Sequence, residues 1–282
     1  METGKFRGFE IAIQDPGIAV FTFNQPERLN GMTQPMKRDL VEALLQAQMD
    51  DAVRVVLFTG AGRGFCAGDD LKGYSADASG ADAKALVPPV PHGHHSAIGT
   101  YDGLRVLSQS VNVAIRNLDK ISIAAINGVA IQTGLSLALA CDFRIAAESA
   151  RLGSATLRFA LMPDEGGHYL LLQHLGLAQT LDFVLRKRIV EAAEAHRLGL
   201  VHEVVPDAAL MPRSLALARE LAEGPQVAMR LLKRAVYNAT EMPWERALDD
   251  IATKTAITDH LPDSREGVAA FREKRQARFN QG

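Results

Sequence analysis

A mixed α/β core followed by an all-helical C-terminal region is the fold class that the sequence predicts. Three observations lead there. Short apolar runs rich in β-branched residues recur through the first 206 positions, at residues 9–13, 18–23, 53–59, 121–126 and 200–205, and most of them end at glycine or in a turn. Stretches with helical spacing lie between the runs. Beyond Ala208 the chain reads as helix alone, roughly at 210–222, 225–240, 243–258 and 263–279, which sets residues 1–206 apart as a core and 207–282 as a helical region.

Runs 9–13 and 18–23 are joined by Gln14, Asp15, Pro16 and Gly17, a hairpin signal. Thr33 suits the N-cap of a helix over 34–49, with Pro35 in its first turn and Leu40, Leu44 and Ala47 on one face. The strand at 53–59 runs into Gly60, Gly62 and Gly64 and then into FCAGDDL at 65–71. Residues 74–100 are the least regular part. Pro88, Pro89 and Pro91 exclude a helix there, and His92, His94 and His95 form a cluster that reads foremost as a solvated loop, with metal binding, titration near neutrality or contact with a substrate as the minority options, the last shared with Tyr101. Leu104, Leu107, Val111 and Ile115 have helical spacing over 102–118.

The strand at 121–126 breaks at Asn127 and Gly128. After Gly134 comes the apolar stretch 135–140, which reads as a buried helix. A strand that stops at glycine and feeds a helix start leaves free N–H groups and the positive end of the helix dipole facing one spot. Two such turns, the other at 60–69, could each aim one N–H at a common oxygen, which is the minimum for an oxyanion hole. Helices are expected at 168–175 and 179–185, on either side of Gly176, and at 191–198, ended by Gly199.

At 282 residues, with 47% hydrophobic and 23% charged residues and a net charge of −2, the composition is that of an ordinary globular chain. Nothing in that balance calls for nucleic acid or an anionic membrane as partner. Residues 1–8 lack the apolar core of a secretory leader, and no run is long enough to span a bilayer, so a cytoplasmic location is expected. Cys66 and Cys141 read as buried free thiols, and no metal-ligand spacing is present.

Six segments taken in order resemble the crotonase superfamily, the enoyl-CoA hydratase/isomerase family: PERLN at 26–30, FCAGDDL at 65–71, AINGVAIQTG at 125–134, CDFRIAA at 141–147, LGLVHEVVP at 198–206 and EGVAAFREKRQARF at 266–279. The resemblance covers nearly the whole chain. It implies a crotonase-like ββα spiral core with a C-terminal helical trimerisation region, and hence a homotrimer or a dimer of trimers. It implies an acyl-CoA substrate, with coenzyme A as part of that substrate and no separate cofactor. The thioester oxygen would sit between the backbone N–H groups of Asp69 and Thr133, with the Asp69 carboxylate turned away from it. Arg28, Ala67, Lys72, Phe271 and Lys274 fall at CoA-binding positions, and Asp70 at a position that holds the loop.

Where the family's hydratases carry two glutamates, this chain has Ser136 and Thr156, and neither hydroxyl can act as a general base by itself. Asp164 and Glu165, just before Gly166, are the substitute. The resemblance gives precedents for a working acid at each position, and adjacent residues in a turn are expected to face different sides. An acid facing an apolar acyl pocket would hold its proton near neutrality. The expected function is stabilisation of a thioester enolate with proton transfer by a carboxylate, as in double-bond isomerisation or hydration of an enoyl-CoA. The alternatives are a non-catalytic acyl-CoA binding member and a carbon–carbon bond hydrolase, the latter with help from a histidine such as His168.

Overall fold

The computed structural model describes residues 1–70, 83–88 and 96–281. An antiparallel unit of β1 (Gly4–Phe6), β2 (Phe9–Gln14) and β3 (Ile18–Phe23) leads through a turn to α1 (Gln34–Met49). Strand, strand, helix then repeats. The first turn is β4 (Val55–Gly60), β5 (Gly64–Cys66), α2 (Ala97–Gly103) and α3 (Ser110–Asn117), with a π-helical turn at Leu104–Ser108 between the two helices. The second is β6 (Ile121–Ile126), β7 (Val129–Ile131) and α4 (Thr133–Ala140), and the third is β8 (Phe143–Ala147), β9 (Arg151–Gly153) and α5 (Gly167–Leu185). After β10 (Ile189–Glu191), α6 (Ala192–Arg197) and β11 (Glu203–Val205) come α7 (Leu210–Glu223), α8 (Gln226–Ala239), α9 (Trp244–Asp259) and α10 (Pro262–Glu273).

The first strand of each unit joins a seven-stranded sheet in the order β1-β2-β3-β4-β6-β8-β11, parallel from β3 onward. The second joins a four-stranded sheet in the order β10-β9-β7-β5. This is the ββα spiral. Side chains alternate across the large sheet, so Phe21, Val56, Phe58, Ala124 and Ile126 enter the main core between the layers, while Val20, Val55, Leu57, Ile123 and Ala125 enter a second core under α7. Ala218 and Ala222 of α7 are fully buried against that face, so the first helix past residue 206 closes the large sheet.

Thr33 caps α1 as its sequence indicates, its Oγ1 accepting from the Met36 N–H at 3.3 Å. Strands β1, β5, β7, β9 and β10 went unread because three residues are too few to show a period. The helices expected on either side of Gly176 are present, two helical segments of α5 that meet at that residue, whose backbone (φ +72°, ψ 172°) is not helical. The last helix ends at Glu273 rather than 279, because Lys274 adopts the left-handed conformation (φ +55°) that closes it.

What places the two glycine-rich turns side by side is the parallel pairing of β5 with β7, Gly64 opposite Val129 and Cys66 opposite Ala130. At Gly134 the start of α4 lies so close to β5 that a β-carbon would stand 2.0 Å from the Cys66 carbonyl oxygen. Backbone cannot yield there as a flexible side chain would. Gly134→Ala is therefore expected to cost at least about 2 kcal/mol by chemical denaturation or to prevent folding; a variant as stable as the parent would show that this contact does not constrain the fold.

Candidate active site

Each turn places a left-handed residue directly before an amide. Gly68 (φ +110°) precedes Asp69, and Gln132 (φ +49°) precedes Thr133. Met32 donates its N–H to the Gly68 carbonyl and accepts from the Asp70 N–H, so the N–H of Asp69 between them points away from that segment. Thr133 opens α4, where no preceding turn supplies an acceptor. Neither N–H has a partner among the described residues. Two unspent donors on adjacent parallel strand ends, one at a helix N-terminus, make a site for developing negative charge.

The side chains of the same two residues meet. Thr133 Oγ1 donates to Asp69 Oδ1 at 2.8 Å, and the ammonium of Lys37 on α1 donates to Asp69 Oδ2 at 2.8 Å and to Ser108 Oγ in the π turn at 3.3 Å. Lys37 is 1% exposed. The expectation that the Asp69 carboxylate simply turns away is thus refined: it spans the two turns, and a buried lysine holds its charge.

The acid region is built around Gln132. Its Oε1 accepts from Ser154 Oγ at 3.0 Å and from Thr156 Oγ1 at 3.1 Å, while its Nε2 donates to Glu165 Oε1 at 2.9 Å. Ser136 Oγ contacts the same Glu165 oxygen at 3.0 Å and the Gln132 carbonyl at 3.0 Å. Ser136 and Thr156, expected at the family's glutamate positions, therefore reach one carboxyl group from the turn leading into α5, Ser136 directly and Thr156 through Gln132. Asn112 of α3 donates to the Glu165 carbonyl at 2.8 Å and Gln109 to that of Asp164 at 3.0 Å, which anchors the turn from the opposite side.

Glu165 is 2% exposed and Asp164 half-buried. Burial, and then the neighbouring Asp164 side chain, push the Glu165 carboxyl up to about 7. The two acids were expected on opposite sides of the segment. They differ in surroundings, Glu165 buried and Asp164 half-buried, at the turn into α5 at Gly166 (φ +89°). Sequence reasoning missed Gln132, which does not titrate. Its only signal was a large residue in a turn otherwise made of small ones.

Other sequence-predicted residues are placed less centrally. Arg28 is paired with Asp70 at 2.5 Å, which gives Asp70 the loop-holding part expected of it. Ala67 donates its N–H to the Leu29 carbonyl at 3.0 Å. Phe271, on α10, is 85% exposed and Lys274 caps the same helix, both apart from the two turns in sequence and fold. Lys72, His92, His94 and His95 lie outside the described residues. Tyr101 is exposed, with Arg105 5.4 Å over its ring, and exposed His168 has its Nδ1 3.3 Å from the Pro163 carbonyl. Burial pushes both Cys66 and Cys141 up to about 12, far from a reactive thiolate. Among the described residues no cluster of three His, Cys, Asp or Glu could hold a metal, and no helix is long and apolar enough to cross a membrane.

A carboxyl whose folded pKa is raised costs stability once the unfolded chain ionises. For Glu165 the cost is absent below about pH 4.5, grows between there and about 7, and is complete above. Glu165→Gln keeps the shape and removes the charge. It is expected to raise stability at pH 8 by up to about 3 kcal/mol and to leave it unchanged at pH 4.5; denaturation at the two pH values checks this, and an equal effect at both would contradict the assignment.

Residues 14–282 match the family model described as enoyl-CoA hydratase/isomerase. A 1,2-epoxyphenylacetyl-CoA isomerase of Escherichia coli K12 is 36% identical over 274 residues, which cover 96% of this chain and 98% of that protein. Among solved structures, an enoyl-CoA hydratase from Bacillus anthracis superposes with a TM-score of 0.86 at 29% identity, covering 98% of this chain and 100% of that one. One from Mycobacterium smegmatis gives 0.84 at 27%, covering 96% and 98%. Spiral fold, paired turns and family model agree, and the chain belongs to the enoyl-CoA hydratase/isomerase family of the crotonase superfamily.

Proposed function

We propose that this protein isomerises a double bond in an acyl-CoA thioester. The amides of Asp69 and Thr133 would hold the thioester oxygen as the enolate forms, each contributing roughly 3 to 4 kcal/mol to the transition state. The Asp164–Glu165 pair would carry the proton. The carboxylate takes a proton from the carbon beside the carbonyl, the electron pair moves onto the thioester oxygen, and the same proton or its replacement is delivered two carbons further along as the double bond shifts. No oxidant or added cofactor enters, and coenzyme A serves only as part of the substrate.

One observation carries this reading: the positions that would hold two glutamates bear hydroxyls, and they are linked, Ser136 directly and Thr156 through Gln132, to a single buried carboxyl poised near neutral pH. Adding water across a double bond calls for two acids around that water. Moving a proton along one face calls for one proton carrier. Asp164, the more exposed of the pair, would touch substrate, with the buried Glu165 as its partner in holding the proton. The E. coli relative is named an isomerase.

Assembly as a trimer or a dimer of trimers belongs to the same proposal. Leu232 and Val236 on α8, Trp244, Leu248 and Ile257 on α9, and Val268 and Phe271 on α10 leave large apolar surface exposed, Trp244 at 72%. A cytoplasmic location is proposed with it.

Asp164→Asn and Glu165→Gln are each expected to lower isomerase turnover by about 10²-fold or more, the range for loss of one acid–base group, while calorimetric binding of a non-reactive acyl-CoA stays near the parent value. Full turnover in both would remove the proposal. Parent protein that binds acyl-CoA but turns over no enoyl, dienoyl or β-diketone thioester would favour the non-catalytic reading.

A further inference from the structure

Lys37, on α1, has 1% of its side chain exposed, and the acid it meets belongs to a residue whose amide would hold the thioester oxygen. Its Nζ donates to Asp69 Oδ2 at 2.8 Å and to Ser108 Oγ at 3.3 Å, while the other oxygen of that carboxylate accepts from Thr133 Oγ1 at 2.8 Å. Among the described residues Lys37 is the cation paired with Asp69, and it pairs with no other acid. Its neighbours Met36, Leu40 and Leu44 fill the main core with apolar side chains. A buried ion pair is commonly no more stabilising than apolar residues of the same size, so stability alone gives no reason for a lysine there.

The reason lies in the acid. Only Cα and Cβ separate the Asp69 N–H from its carboxyl carbon, so a full negative charge is held close to the place where a second one would form. The Asp69 side chain is 21% exposed, which leaves little water to screen that repulsion. Without a counter-charge, the carboxylate that joins the two turns would oppose the enolate.

We propose that Lys37 is a positioning residue of the oxyanion hole that acts through Asp69, its ammonium offsetting the charge of the carboxylate that joins the two turns. The inference rests on the Asp69 and Thr133 amides as holders of the thioester oxygen. Strand register sets those amides side by side, the carboxylate links the side chains of the same two residues, and the lysine removes the repulsion that this link would bring. A thioester carbonyl carries partial charge and an enolate a full one, so loss of the ammonium falls on the chemical step more than on binding.

Lys37→Met is expected to lower kcat about tenfold or more, with KM within about twofold of the parent value. Adding Asp69→Asn, which keeps an acceptor for Thr133 Oγ1 and removes the charge, is expected to restore kcat to within a few-fold of the parent, as a merely structural loss would not be restored. Parent kcat in folded Lys37→Met, or a loss that the second substitution does not restore, would overturn the proposal. If Lys37→Met does not fold, the double variant, which buries no charge, decides: a kcat more than about tenfold below the parent overturns the proposal and a higher one supports it. Infrared spectra of a bound non-reactive acyl-CoA separate this inference from the reading beneath it. The thioester C=O stretch is expected to fall on binding to the parent, to fall less in Lys37→Met and to fall again in the double variant. No fall in the parent would overturn the oxyanion hole itself; a fall in the parent that Lys37→Met leaves unchanged would overturn the role of Lys37 alone.

Discussion

Everything at this site depends on the parallel pairing of two three-residue strands, β5 and β7, locked by the approach of Gly134 to the Cys66 carbonyl. Parallel neighbours lie about 4.8 Å apart and end in the same direction. Two turns leaving them therefore start side by side, and a left-handed residue at the same step of each bends the following amide out of the sheet. The convergence proposed for the two amides would follow from strand register and needs no side chain. At Gln132 that conformation costs of order 1 to 3 kcal/mol, comparable to what one well-placed amide contributes to a transition state.

Gln132 links the two halves of the chemistry. Its backbone precedes the Thr133 N–H, and its side-chain amide links Ser154 and Thr156 at Oε1 to the Glu165 carboxyl at Nε2, where Ser136 also binds. On the proposed reading, charge is relocated relative to the family's hydratase pattern. The positions on α4 and after β9 carry neutral hydroxyls, and the acid arrives from the turn before α5. Buried there, it keeps its proton to about neutral pH, where a carboxyl at its ordinary value would be ionised and a weaker base.

Much of this was legible in the sequence, and what was not has physical causes. Helix α1 was readable at its start because Thr33 and Pro35 are local signals, and β6 because a six-residue, largely apolar run lies between a helix and a glycine turn. The six family segments gave the order of the turns. Strands of three residues carry no period, so the pairing of β5 with β7 could be inferred only from the family's fold. Lys37 and Gln132 were invisible for another reason. Lys37 reads as an ordinary polar position on an amphipathic helix, yet it is buried against Asp69, 32 residues away. Gln132 acts on Glu165 across 33 residues, through a hydrogen bond that no local pattern encodes.

The most direct measurement of the central claim is a crystal structure with an acyl-CoA analogue whose thioester carbon cannot ionise. The account predicts the carbonyl oxygen within hydrogen-bond distance of both the Asp69 and Thr133 amides, with the Asp164 carboxylate near the carbon that would lose or gain the proton. A carbonyl oxygen bound by one amide or by neither, or an acyl chain directed away from Asp164, would contradict it.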